Sequence, residues 1–75
     1  MMSSQQCRAA RAWLGWTQQE LAVRAHVGLS TVKDFEKGER KPIAATAEVM
    51  QRAIEAGGII LLFHEDGGPR GIEAR

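Results

Sequence analysis

The chain has almost no cysteine. Cys7 is alone, so no disulfide can form within one copy. Cys7, His26 and His64 also lie too far apart in sequence to suggest a zinc site. Long apolar runs are missing too. The longest, "GIILLF", is far too short to span a bilayer. No charge sign dominates, since the formal net charge is +1. No signal peptide is visible, which with the lone thiol fits a reducing cytoplasm. No internal repeat or low-complexity tract is present. No nucleophile–base pair, glycine-rich phosphate loop or metal set stands at suggestive spacing. Catalysis, a cofactor, a membrane partner and a small-molecule ligand are therefore not expected.

What is present makes one small domain. At 75 residues a chain buries roughly 60% of its unfolded surface, so its stability is marginal. Chains of this size are often stapled by disulfides, metals or oligomerisation. With the first two set aside, a homodimer is the expectation. Charge is unevenly spread. Residues 1 to 41 hold seven Lys/Arg against four acids, a net +3, while residues 42 to 75 hold three against five, a net −2. The basic end is the candidate for a polyanion.

The spacing predicts a helix from about Ser4 to Leu14, with Cys7, Ala10 and Leu14 as its buried stripe and Gly15 as its stop. Thr17 and Glu20 form a capping box for a second helix. Trp16 can staple to Leu21, and Leu21, Ala22 and Ala25 face inward. A third helix starts near Leu29 on a Gly28 N-cap, keeps Val32 and Phe35 inside, and closes at Gly38. "ERKP" reads as a basic loop. A fourth helix, about Ala45 to Ala56, has Ala47, Met50, Ala53 and Ile54 as its stripe. Then the period changes. Gly58–His64 and Gly71–Arg75 read as a hairpin around the turn signal "EDGGPRG". Ile59, Leu61 and Phe63 share one strand face; Ile60, Leu62 and His64 share the other. One small core covers only one face, and an isolated hairpin is marginal. The second face is therefore expected to pair with a second subunit. The fold class is mainly α: four helices over residues 1–56, then a β-hairpin over 57–75 as the expected dimer interface.

Two short helices joined by a tight turn, the second polar on its outer face, make a helix-turn-helix layout. In that layout the second helix enters the major groove of double-stranded DNA. The stretch "LGWTQQELAVRAHVGLSTVKDFEKGERKP" resembles the lambda-repressor-like (Xre/Cro) helix-turn-helix family. Arg11, "TQQELA", "VGLSTV" and "FEKGERKP" carry the likeness, which covers about Gln6 to Ala56. The tail "GGIILLFHEDGGPRGIEAR" is similar, more loosely, to that of very small bacterial members. The resemblance implies that Gln18 contacts a phosphate and that Leu29, Ser30, Thr31, Lys33 and Asp34 face base edges or phosphates. It implies that Lys37, Arg40 and Lys41 grip the backbone and that Arg11 pairs with Glu36. Thr17 is a cap that can also touch DNA.

Two positions depart from the family. His26 stands where glycine is usual, in a left-handed position that His tolerates better than most residues. Leu29 stands where a polar base reader is common; leucine cannot hydrogen-bond but can pack on a thymine methyl.

Plainer readings stand beside these. Asp34 is either an i,i+3 partner of Lys37 or an acceptor for cytosine N4; the cost of a free carboxylate near phosphates favours pairing. Trp16 reads as core, Trp13 as partly buried or at an interface, His64 as a hairpin rim residue, and Cys7 as a small core residue. The expectation is a DNA-binding regulator, a repressor, acting as a homodimer on a two-fold operator. Protein concentration, operator arrangement or a regulatory protein partner would control it. The alternatives are a protein-binding module, such as an antitoxin or antiactivator partner, and an architectural DNA binder. The polar "LSTVKD" face argues against the first, and the mild basic excess against the second.

Overall fold

A computed structural model describes residues 1–39 and 43–75. Pro42, and with it the "RKP" part of the basic loop, lies outside the described residues. Four helices are followed by two strands: α1 (Ser4–Leu14), α2 (Gln18–Ala25), α3 (Leu29–Lys37), α4 (Ala44–Ala56), β1 (Ile59–Phe63) and β2 (Pro69–Ala74).

Local chemistry sets most of the boundaries. Ser3 and Thr17 each build a capping box, with Gln6 and Glu20 as the reciprocal partners, so orphan N–H groups at both helix starts are satisfied. α1 ends at Gly15 with φ 70° and α3 at Gly38 with φ 68°. α2 ends at His26, which takes the left-handed φ 58°, ψ 42°. Its N–H bonds the Val23 carbonyl, and the Val27 N–H bonds that of Ala22. This double closure is a Schellman motif. It turns the chain sharply enough to start α3 three residues later.

The hairpin departs from the sequence reading at its second strand. β2 begins at Pro69, two residues before Gly71. The His64 N–H bonds the Gly68 carbonyl and the Gly67 N–H bonds that of His64, so the turn closes earlier than expected. Proline at a strand's first residue removes no needed ladder bond. Leu62 pairs with Gly71 but Phe63 pairs with Pro69, which leaves Arg70 as a bulged residue. His64 lies beyond β1 and is exposed.

The core gathers Leu21, Val32, Met50, Ile54 and Ile59, all below 2% exposed, with Met2 beside them. α1 contacts α3, α4 and β2, while β1 packs on α4. Ile59 and Leu61 are buried; Ile60 and Leu62 are half-buried. Gln6 is 3% exposed, and its Nε2 donates to the carbonyls of Leu62 (2.8 Å) and Gly71 (3.0 Å). One amide thus joins the start of α1 to both strands.

The reading of Trp16 as core needs correction, and of the two readings of Trp13 partial burial does not hold. Trp16 is half-buried at the rim, not in the core. Its ring lies against Gly57, where a Cβ would fall 2.7 Å from Cη2. The Arg24 guanidinium covers the ring at 4.2 Å from its centroid, a cation–π contact. Trp13 is 69% exposed.

Candidate nucleic-acid interface

α2 and α3 pack on each other across the "AHVG" turn, and a buried carboxylate fixes their relation to α1. Glu36, near the end of α3, is only 4% exposed. Arg11 reaches it with Nε to Oε2 at 2.9 Å and Nη2 to Oε1 at 3.0 Å. The Gln18 amide from α2 donates to Oε1 at 3.0 Å. The Cys7 thiol donates to Oε2 at 3.3 Å. Arg8 donates to the Glu36 backbone carbonyl, and Arg11 Nη1 to the Trp16 carbonyl at 3.0 Å. Three helices therefore meet at one side chain, and α3 cannot roll without breaking charge-assisted bonds.

The electrostatics follow from that arrangement. Burial pushes the Glu36 carboxyl up, but the hydrogen bonds from Arg11, Gln18 and Cys7, with the Arg11 charge, outweigh it and hold the group below the ordinary carboxylate range. The hydrogen bond to Glu36 raises Arg11 further above its already high value. Burial pushes the Cys7 thiol well up, and the neighbouring Glu36 charge adds to this. Cys7 is thus a protonated donor inside the core, not a reactive thiolate.

Over this network lies an open depression lined by Arg8, Arg11, Gln18, Lys33, Glu36 and Lys37. With Glu36 already matched by Arg11, the remaining rim charges are cationic. Sequence reasoning missed Arg8. The available signal was its position three residues before Arg11, which puts both on neighbouring parts of one helix face. It also missed the Cys7 and Gln18 bonds to Glu36.

The remaining candidates distribute as follows. Ser30, Lys33, Asp34 and Lys37 are exposed on α3, while Leu29 and Thr31 are half-buried. Thr17 is exposed, but its hydroxyl accepts from the Glu20 N–H at 3.0 Å. Arg40 and Lys41 lie outside the described residues. Asp34 requires a correction: among the described residues the ion pairs are Arg11–Glu36 and Glu48–Arg52, so the expected pairing with Lys37 is not formed. Solvation of both exposed groups competes with so weak a pair. Ile60, Leu62 and His64 belong to the hairpin and line no part of the depression.

A capped short helix, a left-handed turn and a second helix with a polar outer face define a helix-turn-helix unit. The model of a helix-turn-helix family matches residues 8–58, and the chain belongs to that family, the lambda-repressor-like (Xre/Cro) DNA-binding proteins. No curated protein matches the chain. Among the described residues, no helix is long and apolar enough to cross a membrane.

Proposed function

We propose that the protein is a transcriptional repressor that binds a two-fold symmetric operator as a homodimer, with α3 in the major groove of each half-site. The observation that carries the reading is the cationic depression shared by α1, α2 and α3. It suits a phosphate, held by Arg8, Lys33 and Lys37 with the Gln18 end of α2 beside it, where helix N–H groups favour an anion. Phosphate contacts of this kind fix the register of a recognition helix, and base contacts specify the sequence. Ser30, Thr31 and Asp34 are polar side chains available for base edges, with Asp34 suited to accept from cytosine N4. Thr17 and the Arg40–Lys41 pair would add backbone contacts on either side.

The hairpin, residues 57–75, is the proposed dimer element. Ile60 and Leu62 retain exposed apolar surface on the strand face turned from the helices, with His64 at its edge. Two modules on one duplex multiply affinity and set the half-site spacing. Repression then needs only occlusion of a promoter.

Selection of bound duplexes from a random pool, followed by a salt titration, tests this reading. It expects a consensus with two-fold symmetry and an affinity whose logarithm falls steeply with log salt. Retention of no DNA, or binding indifferent to salt, rejects it. In that event the exposed Trp13 favours the second reading, a protein-binding module anchored by that ring.

A further inference from the structure

The geometry points to Leu29 as a reader of pyrimidine 5-methyl groups. This rests on the proposal that α3 enters the major groove, and it adds what the protein senses there.

Leu29 is the first residue of α3. The exposed positions that follow it on this helix, Ser30, Lys33, Asp34 and Lys37, are all polar. Leu29 lies one turn before Lys33 on the same flank, about 6 Å along the axis. Lys33 lines the cationic depression. A phosphate held there leaves the first turn of α3 pointing beyond the backbone toward base edges, where N-terminal residues of recognition helices make their contacts.

A leucine in that place can neither donate nor accept. Set against the polar edge of a base, it would strip water from that edge and return nothing. The one apolar group that base pairs present in the major groove is the C5-methyl of thymine. 5-Methylcytosine carries the same methyl at the same ring position. No polar side chain stands at the preceding position to offer a hydrogen bond instead: the N-cap is Gly28, without a side-chain cap. Leu29 is half-buried, so part of its side chain remains open for such a contact. The methyl is therefore the recognised group. Thymine and 5-methylcytosine gain from it, while uracil and unmodified cytosine do not.

The test uses the full chain and the duplex recovered by selection. Each thymine of the half-site is replaced in turn by deoxyuridine, which removes only the methyl. At one position, affinity should fall roughly fourfold, the worth of one buried carbon. With a C·G pair placed at that position, 5-methylcytosine should restore roughly the same factor over cytosine. Leu29→Ala should abolish both differences, and Leu29→Met, which keeps an apolar contact, should retain them. Circular dichroism establishes that each variant is folded, and the wild-type comparison needs no variant at all. The inference is overturned by a consensus without thymine in the half-site, by deoxyuridine that is neutral at every position, or by Leu29→Ala that discriminates as the wild type does. Those results leave DNA binding standing. Failure of the selection to recover any DNA removes both readings.

Discussion

Glu36 carries its charge inside the protein because four donors surround it: two from Arg11, one from Gln18 and one from Cys7. Glu36→Gln keeps the shape but leaves Arg11 without its counter-charge. We expect a loss of about 2–3 kcal/mol, below the range for fully buried pairs because Arg11 is partly exposed. Urea denaturation at pH 7 measures it. The sign of the pH effect follows from the depressed carboxyl. Its stabilisation is complete above the ordinary carboxylate value, about 4.3, and is lost as pH falls through the lower folded value. The gap between wild type and Glu36→Gln should therefore narrow below about pH 4. A gap that stays constant into acid would mean that the charge of Glu36 contributes nothing. His26 is a second residue-scale case. A left-handed residue with a Cβ is strained by roughly 1 kcal/mol or more, so His26→Gly should raise the melting temperature, with DNA affinity unchanged.

Between elements, Gly57 lies close against the Trp16 ring. Gly57 has φ −75°, so its backbone would accept alanine readily; the obstacle is the indole, 2.7 Å from where the new Cβ would stand. Gly57→Ala must displace a rigid ring that the Arg24 guanidinium also covers. The expected cost is about 1–3 kcal/mol, read by thermal unfolding. A neutral result would show that Trp16 swings out freely. The hairpin has a separate test. In light scattering, Leu62→Glu should convert the proposed dimer to a monomer while the helical circular dichroism remains. A dimer that survives the change puts the interface elsewhere.

At the scale of the whole molecule, basic charge gathers where α1, α2 and α3 meet, and the hairpin contributes apolar surface. The proposed division of labour is affinity from the first and pairing from the second. Lys33→Ala combined with Lys37→Ala should weaken binding to every duplex about equally. It should also lower the slope of log affinity against log salt by about two, one for each phosphate that no longer meets a lysine. Loss of sequence preference with an unchanged slope would instead assign these lysines to base edges.

Helix positions, the Thr17–Glu20 capping box and the inward residues Cys7, Leu21, Val32 and Phe35 were legible in the sequence because they follow from chemistry within a few residues: cap spacing, stop glycines and periodic apolar stripes. The Ser3–Gln6 box at the start of α1 was not read there. The family likeness came from the same local spacing. What only the tertiary structure decided lies between segments far apart in the chain. Gln6 binds Leu62 and Gly71, Gln18 turns to Glu36, and Trp16 ends at a rim between Arg24 and Gly57. A stripe records that a residue is apolar, not which neighbour leaves it half covered. The two carbonyls that Gln6 serves are set by the strand register, which a bulge near Arg70 shifts. Sequence pattern fixes which face of a helix is dry; the packing of α1, α2 and α3 decides that Arg8, Lys33 and Lys37 share one depression, because their proximity exists only after the helices dock.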